Sequence, residues 1–284
     1  MLKIDEFIGN TDYLPPFPRN LVRLAELLEQ PDVDLDHVAA LIEYDPALTT
    51  LVMRVCNSAY FGAATPISDL REATLRLGFN EVFQLVVLLS SAALLRPKQP
   101  GYGIEADELW RHSVSAGVIG KCLAQALDDN PAQVFTACLL HDIGKVVLSR
   151  SLEDKYDQVL AESRRTQSPM LVVEQSLLGF DHAAVGGRLL ERWQFGPRLA
   201  EAVRCHHDPA GAGEHARLAA YAYLGNMIAC FMGFGCGHQA LAFRCRAEAL
   251  DLVGIASEEL PRYMTHAFDT LEAVQTLLDI SFRV

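Results

Sequence analysis

The sequence lacks the marks of several classes of protein. Its seven cysteines form no C-x-x-C pair, which argues against a disulfide framework or a zinc ribbon and favours a reducing compartment. Lys and Arg number 24 against 36 Asp and Glu, a formal charge of −12. Nucleic acid is therefore not expected as a partner, because clustered basic side chains bind its phosphates. With 50% hydrophobic and 21% charged residues, the chain is expected to fold around a sizeable core.

Long apolar runs are also missing. The most apolar stretch, Val82 to Leu95, is shorter than the roughly 20 residues that a membrane span needs and is typical of a buried core helix. Asp5 and Glu6 stand where a signal peptide would begin its apolar region. The sequence predicts a cytoplasmic protein without a membrane partner.

Strand-like alternation is missing too, and the apolar positions instead recur with a helical period. Asp69 with Glu72, and Asn80 with Glu81, are predicted helix starts. The helical period is seen at Leu21, Leu24, Ala25, Leu27 and Leu28. Proline at a first helical position is predicted at Asp45–Pro46, Asn130–Pro131, Ser168–Pro169 and Gly196–Pro197. These patterns predict an all-α fold.

One polar segment interrupts the helical pattern. Arg96–Gly101 contains two prolines and a glycine, so it cannot continue the apolar helix before it. We expect it to separate an N-terminal helical subdomain, residues 1–100, from a C-terminal one, residues 101–284. All histidines except His37 follow this segment, so metal or acid–base chemistry is expected in the C-terminal part.

His141 and Asp142 end an apolar helical segment in that part of the chain. A neutral imidazole beside a carboxylate can bind one divalent ion and offer the second carboxylate oxygen to another. The alternative is an ordinary helix end, with Gly144 as its stop and Lys145 beside the last carbonyl groups.

Further histidines can join such a site. Glu108 and His112 are four residues apart and share a helix face, a spacing found in helical di-metal sites but also in solvated pairs. His182 stands at a predicted helix start, where a histidine is usually a capping or surface residue. His206 and His207 are adjacent and suit two ligand directions at a helix end, or form a polar end before a proline.

The order of these residues resembles that of a known ligand set. It is similar to the metal ligands of the HD superfamily of metal-dependent phosphohydrolases, and the paired histidines and Glu108 are most similar to the HD-GYP cyclic-dinucleotide phosphodiesterases. The matching residues, in order, are Glu108, His112, His141, Asp142, Lys145, His182, His206 and His207.

The first hundred residues resemble a narrower family. Leu14–Pro18, Ile42–Leu48, Asn57–Phe61 and Leu77–Gly78 are similar to the opening of an HDOD domain, the HD-related output domain of bacterial signalling proteins. The resemblance covers about residues 12–234. It implies one HDOD domain with an all-α fold, in which an N-terminal helical subdomain packs against an HD-like helical bundle.

The sequence departs from the HD enzymes in two places. In those enzymes a later apolar helix supplies an aspartate to the metal, and the matching segment here, Tyr223–Ala229, has Asn226 in that place. An amide oxygen can be a ligand, but it brings no negative charge and holds a divalent cation less strongly. After His206 and His207 the chain also lacks the Gly-Tyr-Pro of HD-GYP proteins, which is thought to shape cyclic-dinucleotide recognition.

Two functions follow from the resemblance. The first is a non-enzymatic signalling module that binds one or two divalent ions and acts on a partner protein. No receiver, PAS, GGDEF or helix-turn-helix segment is recognisable, so that partner is expected on a separate chain. The second is a metal-dependent phosphohydrolase acting on a cyclic dinucleotide or another nucleotide. In it, two ions bridged by Asp142 would lower the pKa of a shared water, and Lys145 would hold the phosphate.

Both functions imply the same ligands, and a histidine/carboxylate set favours iron or manganese. A third alternative is an empty cluster with a purely structural role. The implied ligands are Glu108, His112, His141, Asp142, His182, His206, His207 and Asn226.

Overall fold

A computed structural model describes residues 4–10, 23–24, 26–27, 34–58, 60–62, 65–151, 153–166, 168–235 and 246–282. These residues form helices, turns and one isolated β-bridge, between Gln99 and Ile104, and no strand occurs among them. The prediction of an all-α fold is confirmed.

The α-helices are numbered here in chain order. They are α1 (Ile4–Asn10), α2 (Leu35–Glu43), α3 (Pro46–Cys56), α4 (Leu70–Leu77), α5 (Phe79–Leu95), α6 (Glu108–Ala126), α7 (Pro131–Leu140), α8 (Ile143–Ser151), α9 (Glu153–Thr166), α10 (Met170–Leu178), α11 (His182–Arg192), α12 (Pro197–Arg204), α13 (Ala216–Ala229), α14 (Ala247–Val253) and α15 (Leu260–Phe282). Short 3₁₀ segments cover Pro100–Tyr102, Pro209–His215 and Ser257–Glu259, and a π turn covers Cys230–Phe234.

Side chains cap the helices at several predicted starts. The Asp45 carboxylate accepts hydrogen bonds from the first turn of α3, and Asn130 caps α7 in the same way. Asp69 accepts a hydrogen bond from the backbone N–H of Glu72 at 2.7 Å. Helix α12 begins at Pro197, as predicted. These caps satisfy backbone donors that a helix start leaves without a partner.

Two predicted helix starts differ in the structure. Helix α10 begins at Met170, so Pro169 is the residue before the helix and not its first residue. Helix α5 begins at Phe79, directly after Gly78, and Asn80 lies inside its first turn. Gly78 has a φ of 88°, a conformation that glycine adopts without steric cost. The turn therefore depends on this glycine and not on an asparagine cap.

Helix α5 is the buried core helix predicted for residues 82–95. It packs against α3 and α4 on one side and against α6 and α7 on the other. Burying each large aliphatic side chain contributes about 1.5–3 kcal/mol, so this helix ties the N-terminal helices to the rest of the chain. In the described part, no single helix is long and apolar enough to span a membrane, although α4 and α5 together reach that length and composition across a 120° bend.

Asn57, the first residue of the Asn57–Phe61 motif, has a structural role. Its side chain donates hydrogen bonds to the carbonyl oxygens of Met53 and Ile67, at 3.1 and 2.9 Å, and accepts one from the N–H of Ile67 at 2.7 Å. One amide thus joins the end of α3 to the loop before α4. The Leu14–Pro18 motif lies outside the described residues, as do the predicted helical positions 21, 25 and 28.

Both ends of the chain make contacts across the predicted division at residue 100. Phe7 of α1 lies against Phe180, with ring centroids 5.1 Å apart, and Asp5 pairs with Arg188 of α11 at 2.7 Å. Helix α15 packs against both α6 and α3. The division into residues 1–100 and 101–284 stays a prediction.

Candidate metal centre

Imidazoles and one carboxylate from four places in the chain converge where helices α6, α8, α11 and α12 meet. His112 lies within α6, His141 and Asp142 join α7 to α8, His182 begins α11, and His206 and His207 follow α12. His207 is half-buried, and each of the others is at most 2% exposed. The structure therefore brings together all five histidines of the predicted ligand set and Asp142.

Asp142 lies between two groups of imidazoles. Its Oδ2 is 3.4 Å from Nε2 of His141 and 3.7 Å from Nε2 of His112. Its Oδ1 is 3.4 Å from Nε2 of His182 and 3.9 Å from Nε2 of His206. One carboxylate thus presents a different oxygen to each group.

The ligand atoms of each group are close enough to share an ion. Those of His112, His141 and Asp142 lie within 4.8 Å of one another, and so do those of His182, His206 and His207. The sequence alone did not divide the ligands into these two groups.

Backbone carbonyl groups orient three of the rings. A carbonyl oxygen can only accept a hydrogen bond, so the Nδ1 atom that faces it carries the proton. In the neutral form of each ring, Nε2 then carries a lone pair that is directed into the cluster. A neutral imidazole with such a lone pair is the form that binds a metal. The Nδ1 distances are 3.0 Å from His112 to Phe234 O, 2.6 Å from His141 to Cys138 O, and 2.7 Å from His206 to Val203 O.

These lone pairs lack hydrogen-bond donors among the neutral rings. The Nε2 atoms of His112 and His141 are 3.2 Å apart, and with the proton of each neutral ring on Nδ1 neither could donate a hydrogen bond to the other. Nε2 of His206 and Oδ1 of Asp142 have no hydrogen-bond partner within the described ranges. Buried acceptors without partners cost free energy. A cation in each group would satisfy the lone pairs of that group, so the donor set fits divalent transition metals.

The protonation states agree with this donor set. Burial, together with the neighbouring His141, lowers the pKa of His112 to about 3. Burial also lowers the pKa of His206 well below its ordinary value. For Asp142, burial alone would raise the pKa, but Lys145 and the nearby imidazoles together hold it well below the ordinary value. Neutral imidazoles and an ionised carboxylate are the forms that coordinate metals.

Lys145, the predicted phosphate-binding residue, contacts the same carboxylate. Its Nζ donates a hydrogen bond to Oδ2 of Asp142 at 2.5 Å, and its side chain is 17% exposed. Lys145 and the half-buried His207 are thus the members of the cluster nearest to solvent.

Glu108 belongs to neither of the two groups of ligand atoms, and its role as a ligand stays a prediction. It is exposed, and its Oε2 accepts a hydrogen bond from the backbone N–H of Glu105 at 2.9 Å. The four-residue spacing from His112 places both residues on α6, and Glu108 is the first residue of that helix. In this arrangement its carboxylate binds the backbone just before the helix.

Asn226 lies in the buried part of α13 and is 3% exposed. Its Oδ1 accepts a weak hydrogen bond from Sγ of Cys230 at 3.7 Å. Burial raises the pKa of the Cys230 thiol to about 11, and the charges of Lys145 and Asp142 also act on it. This turn of the chain is thus beside the cluster, and a ligand role for Asn226 stays a prediction.

Glu174 was missed by the sequence reasoning. It is fully buried on α10, and its Oε2 accepts hydrogen bonds from both Nδ1 and the backbone N–H of His182, each at 2.8 Å. Burial by itself lowers the pKa of His182, but the charge and hydrogen bond of Glu174 outweigh it and raise the pKa. A signal was present, because Glu174 is the single charged residue of Met170–Leu178 and a carboxylate in an apolar helix needs partners.

Comparisons with known structures agree with the fold. The crystal structure of an HDOD domain protein with unknown function from Geobacter sulfurreducens is 26% identical, with a TM-score of 0.71 covering 94% of this chain and 96% of that one. A candidate phosphohydrolase from Shewanella amazonensis SB2B has a TM-score of 0.73 at 22% identity, covering 96% and 97% of the two chains. At that identity the likeness concerns the fold alone.

Sequence comparisons give the family. An uncharacterized protein of Treponema pallidum is 27% identical over 224 residues, which are 78% of this chain and 43% of that protein. The chain thus spans less than half the length of this relative. The family model of the HDOD domain matches residues 14–209, more than half of the chain. With the helical fold and the motifs between Ile42 and Gly78, this match shows that the chain belongs to the HDOD family.

Proposed function

We propose that the protein is a metal-binding regulatory module of bacterial signal transduction, without hydrolase activity. The observation that carries the metal-binding part is the approach of the His112 and His141 Nε2 atoms to 3.2 Å. Two buried lone pairs repel each other at that distance, and a shared cation turns the repulsion into coordination.

Two ions fit the geometry. Of the chain's residues, His112 and His141 with Oδ2 of Asp142 would hold one ion, and three imidazoles with Oδ1 of Asp142 would hold the other. Histidine with carboxylate suits iron or manganese. Bound ions would act as Lewis acids toward an anionic ligand, and a nucleotide phosphate is the ligand that we propose.

The charges of the cluster support regulation over turnover. Five of the six converging residues are at most 2% exposed, so a phosphate would approach from the side of Lys145 and His207. Lys145 already forms an ion pair with Asp142. Asn226 would supply no negative charge where the HD enzymes have an aspartate. A signalling protein is the proposed partner, since the family resemblance is to an output domain.

A phosphohydrolase is the second candidate, and one observation favours it. Lys145 and His207 lie at the more exposed side of the cluster, where a phosphate would meet a positive charge next to both groups of ligands. The fold is also shared with the candidate phosphohydrolase of Shewanella amazonensis.

The first experiment is elemental analysis of purified wild-type protein and of two variants. His141→Ala removes an imidazole whose Nε2 faces the cluster, and His266→Ala removes one on the exposed surface of α15. We expect a stoichiometric transition metal in wild type and His266→Ala, and at least one ion fewer in His141→Ala. A wild type that holds no metal after controlled reconstitution would refute the proposal.

The second experiment separates the two candidates. Protein verified to hold two ions is incubated with a chromogenic phosphodiester and with a cyclic dinucleotide, and product is followed over time. We expect no turnover above that of the His141→Ala variant. Hydrolysis that disappears in His141→Ala but persists in His266→Ala would reject the regulatory module and establish the phosphohydrolase.

A further inference from the structure

A buried hydrogen-bond chain leads from His182 away from the cluster. Both donors of His182 that face α10, Nδ1 and the backbone N–H, bind Oε2 of Glu174 at 2.8 Å. The other oxygen, Oε1, accepts the hydroxyl of Tyr102 at 2.9 Å. A carboxylate that receives donors on both oxygens has its orientation fixed, and it fixes the ring that donates to it.

Tyr102 also touches the cluster directly. Its ring lies edge-on to the His182 ring, with centroids 6.5 Å apart, and the ammonium of Lys145 is 5.9 Å from its centroid. Tyr102 is only 4% exposed. One aromatic side chain therefore contacts an imidazole, a carboxylate and the lysine that pairs with Asp142.

The segment that carries Tyr102 is the link between α5 and α6, and it is held tightly. Gln99 and Ile104 exchange two backbone hydrogen bonds, of 2.9 and 3.2 Å. At the base, the Arg96 guanidinium binds the Asp107 carboxylate at 2.6 Å. Tyr102 lies at the tip of this loop, so its position follows that of the helices on either side.

We propose that Glu174 and Tyr102 are positioning residues that hold the His182 ring with Nε2 toward Asp142, and that the loop between α5 and α6 thereby sets the geometry of the second ion site. The proposal rests on the proposed metal centre. It goes beyond that centre, because it adds two residues that touch no ion and connects the site to the N-terminal helices through one loop.

The chain offers variants that separate geometry from charge. Glu174→Ala removes the acceptor for His182. Glu174→Gln keeps the hydrogen-bond pattern, because its amide oxygen can accept from His182 while its NH₂ donates to the Tyr102 hydroxyl. Tyr102→Phe removes the hydroxyl that donates the outer hydrogen bond. Tyr221→Phe is the matched control, because it removes a buried tyrosine hydroxyl that donates to Asp129, outside the cluster.

Two measurements apply to each variant. Metal affinity is determined by competition with a chelator, and the tautomer of His182 is read from imidazole ¹⁵N chemical shifts of the metal-free protein. Glu174→Ala is expected to bind the second ion about 10- to 100-fold more weakly and to lose the fixed Nδ1–H form. Glu174→Gln keeps that form with a smaller loss of affinity. The metal affinity of Tyr102→Phe is expected to lie between those of Glu174→Ala and wild type, and Tyr221→Phe is expected to keep the wild-type affinity.

Several results would overturn the proposal. They are wild-type affinity and tautomer in Glu174→Ala, a Glu174→Gln variant that behaves like Glu174→Ala, or a Tyr102→Phe affinity equal to that of Tyr221→Phe. If Glu174→Ala does not fold, the comparison of Tyr102→Phe with Tyr221→Phe decides. If the wild type binds no metal, the metal centre is refuted, and the tautomer of His182 in the metal-free variants still decides whether Glu174 positions the ring.

Discussion

Replacing Gly144 by alanine is expected to disrupt the metal centre by forcing two backbones apart. Gly144 is the second residue of α8, and a Cβ built on it would lie 1.9 Å from the carbonyl oxygen of His182 and 2.8 Å from the backbone nitrogen of Gly186. Both of these atoms belong to the backbone of α11, so neither can rotate away. Glycine is required here for close approach of α8 to α11.

The size of the disturbance follows from these distances. Ordinary van der Waals contact of a Cβ begins at 3.4 Å, so the two backbones must separate by about 1.5 Å, a shift on the scale that costs about 100-fold in a site needing precise geometry. Asp142 precedes Gly144 by two residues, and its Oδ1 is 3.4 Å from Nε2 of His182, so the same movement opens the cluster. Overpacking of this kind costs about 1–3 kcal/mol or more; for a backbone contact we expect the upper end.

The assay compares Gly144→Ala with Gly196→Ala. Gly196 precedes α12, and an added Cβ there meets no atom within 4 Å, so its alanine variant should behave like wild type. For Gly144→Ala we expect a melting temperature of the metal-free protein lower by about 5–10 °C and metal affinity reduced by about 100-fold or more. Equal melting temperatures and affinities in the two alanine variants would refute the argument that α8 and α11 must touch.

Two further predictions concern charge. Glu108→Gln should leave the metal content unchanged in elemental analysis, because Glu108 is exposed and its carboxylate accepts a hydrogen bond from the backbone of Glu105. Loss of an ion in this variant would show that Glu108 is a ligand. The metal-free protein should lose stability as the pH falls from 6.5 toward 3. The pKa of His112 is 6.5 ordinarily and about 3 in the folded protein, so over this pH range His112 takes up a proton only when the protein unfolds. His112 therefore contributes a slope of about 1.4 kcal/mol per pH unit to the free energy of unfolding. Urea titrations of wild type and His112→Asn should show the difference, and identical slopes would contradict it.

The helical framework was predictable because its signals are local. Asp45 and Asn130 cap helices with side chains two and three residues from the groups they bind, and a proline follows each in the sequence. The burial of α5 was equally readable, since all but three of residues 82–95 are apolar. Gly78 shows the limit of such reasoning. The helix start depends on the positive φ of Gly78, whereas the sequence pattern of Asn80 and Glu81 predicted a start at those residues.

Glu108 and Glu174 show why the cluster was only partly predictable. Glu108 has the expected spacing from His112 but is the first residue of α6, where its carboxylate binds the backbone of Glu105. Glu174 had no motif. It contacts His182, which begins the next helix, at 2.8 Å, and Tyr102, which is far away in the sequence, at 2.9 Å. Spacing within a helix identifies shared faces, whereas the burial of a face depends on which other helices pack there.

The placement of the ligands on the helices supports a regulatory use of the metal centre. His112 lies inside a helix, but His141 ends α7, His182 begins α11, and His206 and His207 follow the end of α12. Ligands at helix ends move whenever the helices shift relative to one another. A bound ion would therefore stabilise one arrangement of these helices over others, by a free energy equal to the difference in its affinity for them. Because Tyr102 joins His182 to the loop after α5, such a shift would reach the N-terminal helices through contacts that are already in place.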